Sequence, residues 1–298
     1  MYLEHFHLSC PPFGLTPDTH FFCQSSQHIG ALNTARVCLD QGEGFIKITG
    51  EVGSGKTLLC RLLLNQLNSA KFITAYLPNP SVSAQELPLI IAKEIRLDLS
   101  SIGKTSHEIQ EALLKHLIEL NQQGKTVVLL IDEAQAMPVE TLESLRLLTN
   151  LETETHKLLQ VVLLGQPELN DKINLPELRQ LKQRIAFSYQ IKPLTKAEMS
   201  GYIRHRLAIS GHTQGNLFTD KALQQLYKYS RGIPRVINIL CHKALLAAYG
   251  FGLPAATAKC VKQARRDTEF AACYSAHKKW HQKVRHHLSK ILRLESKD

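Results

Sequence analysis

From residue 45 to about residue 191, short apolar runs alternate with stretches of helical period. Residues 45–49, 71–77, 127–131 and 159–164 read as strands, and 185–191 as a last strand ending before Pro193. The run Val127-Val128-Leu129-Leu130-Ile131 is too short for a helix and apolar on both faces, as a strand inside a parallel sheet is. Between the strands, apolar side chains return at helical spacing over 83–97, 107–120 and 139–150, the first stretch opening with Ser83 and Glu86 in capping-box register. Strand and helix in turn predict an α/β fold, a parallel sheet with helices on both faces.

After Pro193 the strand signals vanish. Thr195 and Glu198 form a second capping-box pair that opens a helix ending at Gly211, Thr219 caps another, a third runs from Pro234 toward Gly250, and a fourth covers 256–266. The pattern predicts an α/β domain over 1–193, a small all-helical domain over 194–268 and a tail over 269–298. No repeat or low-complexity tract interrupts it.

Size and composition suit this plan: 298 residues suffice for a full core and about two domains. No apolar stretch approaches the ~20 residues of a bilayer span, and Met1-Tyr2-Leu3-Glu4-His5-Phe6 lacks a secretory signature, so the expected location is the cytoplasm. The seven cysteines (Cys10, Cys23, Cys38, Cys60, Cys241, Cys260, Cys273) never fall in CxxC spacing, which argues against a disulfide framework and a zinc site. The formal charge of +10 is uneven: residues 271–298 hold seven Lys/Arg against Glu295 and Asp298, while the other 270 residues are near balance.

The chemistry concentrates at two strand ends. Gly50-Glu51-Val52-Gly53-Ser54-Gly55-Lys56-Thr57 fits GxxxxGKT between a strand and an apolar helical pattern that continues through Leu58. Glycines there let successive N–H groups face inward, and the helix start adds its positive end, so polyphosphate is the natural occupant. Lys56 would reach the β- and γ-phosphates and the Thr57 hydroxyl would hold Mg²⁺. The strand 127–131 ends in Asp132-Glu133, where open α/β sheets place their ligands. Asp132 would hold Mg²⁺ through its water shell, and Glu133 would orient and polarise the water that attacks the γ-phosphate. Paired acids of this kind imply hydrolysis as well as binding.

Together these features resemble an AAA+ ATPase. The segments Tyr2-Leu3-Glu4-His5-Phe6, Pro11-Pro12-Phe13, Leu15-Thr16-Pro17-Asp18, Gly42-Glu43-Gly44-Phe45, Ile131-Asp132-Glu133-Ala134-Gln135, Gly165-Gln166-Pro167-Glu168-Leu169 and Gly232-Ile233-Pro234-Arg235 narrow the resemblance to the ExeA (general secretion protein A) secretion ATPases. ExeA-type proteins usually continue into a membrane helix and a periplasmic part; this chain stops first, which favours the shorter relatives associated with assembly of mannose-sensitive haemagglutinin (MSHA) type IV pili. The resemblance implies ATP and Mg²⁺ as cofactors and a lid formed by the helical domain. It implies a ring or filament of identical subunits, and pilus or secretion proteins of the inner membrane as partners. It makes Gln166 the sensor 1 residue, and Arg184, before Arg179, the arginine offered to a neighbouring subunit's nucleotide. Arg235 becomes sensor 2 with Arg231 beside it, and Phe13 with Pro12 the adenine side.

Two alternatives stay open. In the tail, Trp280, Val284, Leu288, Ile291 and Leu292 fall at helical spacing among basic residues. Such a helix can lie on an anionic membrane surface, dock on a partner or stay solvated. A DNA-associated ATPase of the transposition-regulator or helicase-loader type would share the same sheet, though the near-balanced body weakens DNA binding as a reading.

Overall fold

The computed structural model describes residues 2–100, 105–149, 157–213 and 215–268. A short helix α1 (Tyr2–His5) opens the chain. Then follow α2 (Ser26–Asp40), β1 (Phe45–Gly50), α3 (Lys56–Gln66), β2 (Phe72–Leu77), α4 (Leu87–Glu94), α5 (Ser106–Gln122), β3 (Thr126–Ile131), α6 (Val139–Leu148), β4 (Leu159–Gly165), α7 (Glu168–Ile173), α8 (Arg179–Arg184) and β5 (Ile185–Ile191). The remaining helices are α9 (Lys196–Ile209), α10 (Asp220–Ser230), α11 (Pro234–Gly250) and α12 (Ala258–Arg266).

The described residues divide into two compact units, one within Pro17–Pro193 and the other joining residues 2–16 to the chain from Leu194 to residue 268. The first unit is the expected α/β fold. Its five strands are all parallel in the order β2-β3-β4-β1-β5. Alternate side chains of the central strands feed two cores. Phe45, Leu129, Val161 and Leu163 pack with Ile91, Leu113, Leu117 and Leu145 of α4, α5 and α6. Ile46, Ile48, Val128, Leu130, Val162 and Leu164 pack with Ala31, Leu39, Leu59 and Leu63 of α2 and α3. Every residue of β4 is buried, and its run is apolar but for Gln160, whose amide donates to the carbonyls of Leu39 (3.1 Å) and Glu43 (2.9 Å). Each large aliphatic or aromatic side chain of these cores contributes about 1.5–3 kcal/mol by leaving water.

The order places β4 between β3 and β1, so the carboxyl ends of these three strands are neighbours. Ligands of open parallel sheets bind at that edge. β5 is an edge strand paired to β1 alone and mostly exposed.

The second unit is helical. Thr195 and Glu198 form the reciprocal capping box of α9, Thr219 caps α10, and Pro234 opens α11. Between α10 and α11, Gly232 has φ +78°, and a Cβ there would lie 2.0 Å from the Leu194 carbonyl oxygen, so no other residue fits.

The start of the chain departs from the expected boundary, which assigned all of 1–193 to the sheet domain. Residues 2–16 belong instead to the helical unit because their backbone finds its partners there. Ser9 N–H donates to Ser210 O (2.8 Å), Arg206 Nε to Pro12 O (2.5 Å), and Asn238 Nδ2 to Gly14 O (3.2 Å). Buried Arg206 also donates to Tyr202 Oη, which donates to Asn238 Oδ1.

Residues 83–86 also differ from expectation. The box forms, with Ser83 N–H on Glu86 Oε2 (3.0 Å) and Glu86 N–H on Ser83 Oγ (3.3 Å), but it closes a turn, and the helix begins at Leu87 beside Pro88. Proline has no N–H to give a preceding turn, so α4 starts there. The tail expected over 269–298, with Cys273, lies outside the described residues. Among the described residues the other six cysteines are free thiols, and no helix is long and apolar enough to cross a membrane.

Candidate nucleotide site

Three adjacent strand ends deliver the predicted residues to one place. After β1 the loop turns through Gly53 (φ +79°) and Gly55 (φ +99°), and α3 begins at Lys56. Lys56 is only 4% exposed, and its Nζ donates to the carbonyls of Gly50 (2.9 Å) and Glu51 (3.1 Å), which holds the ammonium inside the loop. Burial lowers the Lys56 pKa, while the charges of Glu133, Asp132, Glu51 and Glu168 pull the other way. Ser54 is buried, and its hydroxyl has no hydrogen-bond partner among the described residues. Glu51 and Val52 of the fitted segment are exposed, and Leu58, just after it, is half-buried.

After β3, Asp132 is 3% exposed and accepts a 2.7 Å hydrogen bond on Oδ2 from Thr57 Oγ1, 75 residues earlier. Its Oδ1 accepts the N–H of Glu133 (2.9 Å). Glu133 adopts a left-handed backbone (φ 51°, ψ 37°), a conformation that a non-glycine residue holds only where its surroundings enforce it. That turn swings the chain back on itself. Gln135 Nε2 donates to Glu133 Oε2 at 2.6 Å, and Gln166 Nε2, from the tip of β4, donates to the same oxygen at 2.9 Å. The Gln166 backbone N–H in turn donates to Gln135 Oε1 (2.9 Å), closing a ring of three residues. Lys172 ties the turn from below, its Nζ on the carbonyls of Gln135 (2.5 Å) and Met137 (2.7 Å).

Burial raises the Glu133 pKa, but the hydrogen bonds from Gln166 and Gln135 and the charge of Lys56 outweigh it, and the net shift is downward. The carboxylate is therefore ionised and aimed by two amides, the arrangement a group needs to accept a proton from, or orient, a nearby water.

The sequence anticipated Lys56, Thr57, Asp132, Glu133 and Gln166, and the structure brings these five together. It missed Gln135 and Lys172, whose roles depend on the left-handed turn at Glu133 and leave no spacing signal. Arg179 and Arg184 begin and end α8; Arg179 is exposed, Arg184 half-buried, and neither has a hydrogen-bond or ion-pair partner among the described residues. Phe13 and Arg235 belong to the helical unit: Phe13 is buried edge-on to Phe218 with ring centres 6.0 Å apart, and Arg235 is exposed in the first turn of α11, near Arg231 at the end of α10. A cavity of about 550 Å³ in that unit, lined by Ile203, Leu207, Leu217 and Phe218 with Arg204 and Asp220, holds none of the predicted phosphate-binding residues.

Residues 39–173 match the model of an AAA domain. General secretion pathway protein A of Aeromonas hydrophila is 44% identical over 252 residues, covering 85% of this chain and 46% of that protein. An uncharacterized HTH-type transcriptional regulator of Methanocaldococcus jannaschii, MJ0774, is 31% identical over 158 residues, covering 51% of this chain and 37% of that one. The chain thus spans less than half the length of either relative. Among solved structures, the Aeropyrum pernix ORC1 protein in complex with DNA superposes with a TM-score of 0.62 at 18% identity, covering 86% of this chain and 69% of that chain. That likeness is one of fold.

Proposed function

We infer that the chain belongs to the AAA+ ATPases of the general secretion pathway protein A type, and that it binds ATP with Mg²⁺ at the loop 50–57 and hydrolyses it to ADP and phosphate. The observation that carries the reading is the convergence of Lys56, Thr57, Asp132, Glu133 and Gln166 at three neighbouring strand ends. Their donor set fits the ion: a hydroxyl and a carboxylate meet at 2.7 Å, hard oxygen donors of the type Mg²⁺ takes. Held by Thr57 and Asp132, Mg²⁺ would supply positive charge to offset that of the phosphates.

The protein's own groups do the rest. Inward N–H groups of the loop and Lys56 hold the phosphates, Thr57 and Asp132 hold the ion, and Glu133 orients the attacking water with Gln166 beside it. Arg184, before Arg179, acts on the nucleotide of a neighbouring subunit, and its lack of an internal partner among the described residues supports that use. Arg235 serves as the helical unit's sensor and Phe13 as the adenine side, both on the strength of the resemblance.

The work performed is assembly or operation of a secretion apparatus, since the Aeromonas relative is by name a general secretion pathway protein; its place at the cytoplasmic face of the inner membrane rests on the resemblance. The finer assignment, to an MSHA-type pilus, rests on the resemblance alone.

Glu133→Gln tests the chemistry. The new carbonyl oxygen can still accept from Gln135 and Gln166, so ATP affinity is expected to persist while turnover falls by at least about 100-fold, the upper part of what a lost general base costs being larger still. Normal turnover in this variant would refute the assignment of Glu133.

A further inference from the structure

We infer that His28 is a positioning residue of the phosphate loop, holding the Ser54–Gly55 peptide in the orientation that nucleotide binding needs; the inference rests on the nucleotide reading above. His28 lies in the first turn of α2, 26 residues before Ser54, and is 7% exposed. Its Nε2 is 2.8 Å from the Ser54 carbonyl oxygen and its Nδ1 is 2.6 Å from Ser25 Oγ. A carbonyl can only accept, so Nε2 carries the hydrogen. In the neutral ring Nδ1 then accepts from the Ser25 hydroxyl, which itself accepts the His28 N–H (3.4 Å) as the cap of α2. The ring is fixed from a third side by Phe22, edge-on with centroids 6.1 Å apart.

The helix that carries it is itself seated closely on the sheet. A Cβ on Gly30 would fall 2.4 Å from Tyr189 Oη, so the glycine lets the β5 phenol abut the α2 backbone. At the loop, a Cβ on Gly55 would fall 2.7 Å from His28 Nε2, so the second glycine of the turn clears the way for the imidazole.

The consequence follows from peptide geometry. A trans peptide sets its C=O and N–H on opposite sides, so a Ser54 carbonyl held on His28 fixes the Gly55 N–H pointing away from the ring. Directed N–H groups of this loop are what a phosphate anion takes. Ser54 is 3% exposed, so without His28 its carbonyl would stay buried and unsatisfied or the peptide would rotate, and either outcome weakens the loop's hold on phosphate.

Titration of the full chain with ATP and Mg²⁺, alongside thermal melts, tests this. His28→Leu is expected to lose about tenfold or more in ATP affinity, the cost of an unsatisfied buried acceptor. His28→Gln, whose side-chain amide offers an N–H, is expected to recover most of it. A histidine with a merely structural role would lower the melting temperature and leave the affinity of the folded chain unchanged, which overturns the inference. Should His28→Leu not fold, Ser25→Ala decides: weaker ATP binding supports the positioning role, and wild-type affinity rejects it. A wild-type chain that binds no ATP is a different result, and sinks the nucleotide reading itself.

Discussion

At the scale of single residues, Glu133 shows how the site sets its own chemistry. Burial alone would push its carboxyl up, but two amide donors and Lys56 bring it below the ordinary value of about 4.3 for a glutamate. A depressed pKa means the charge persists to more acidic pH, so hydrolysis is expected to hold through the neutral range and fall only below the ordinary carboxylate range. Gln166→Leu removes one of the two amides and leaves burial in place. The acid limb of its pH–rate profile should therefore shift to higher pH, measured at saturating ATP; an unmoved limb would show that Gln166 does not tune this carboxylate. Lys56, Thr57, Asp132 and Glu133 could be read from the sequence because a phosphate loop and a strand tip demand particular residues at adjacent positions. Gln135 and His28 could not, since each acts through a turn or a helix that brings it to a distant stretch of chain.

At the scale of elements, β3 and β4 were legible because burial on both faces leaves them almost wholly apolar, whereas exposed β5, found over the expected 185–191, was marked by its β-branched and aromatic residues and by Pro193 after it. The capping pair at Thr195 and Glu198 marked α9 for the same local reason. α2 escaped notice, although its buried positions His28, Ala31, Leu32, Ala35, Cys38 and Leu39 repeat with helical period. Three of the six are alanine or histidine, which carry little hydrophobic signal. α7 and α8 are six residues each, too short to display a period. The connection between α10 and α11 offers a stability test. Gly232→Ala must place a methyl against the Leu194 carbonyl in a left-handed backbone, and a loss of about 3 kcal/mol is expected from the two costs together, measured by denaturant unfolding. A change within about 0.5 kcal/mol, as at an ordinary surface site, would mean that the close approach is not a constraint.

For the molecule as a whole, the near-balanced charge of residues 1–270 favours a protein partner over DNA, whose binding would need phosphate neutralisation and show a steep salt dependence. An arginine supplied by a neighbour makes a prediction about assembly: ATP hydrolysis per chain should rise with protein concentration, and Arg184→Ala should abolish the rise while sparing ATP binding. A rate per chain independent of concentration over the range where subunits associate would remove Arg184 from the active site. The central claim is that a triphosphate and its ion are held between the loop at Lys56 and the acids that follow β3, and calorimetric titration of the full chain with ATP and Mg²⁺ tests it most directly. Saturable binding of one nucleotide per chain, lost in Lys56→Ala, is the result this account predicts; no heat of binding in the wild-type chain, or equal binding in the variant, would contradict it.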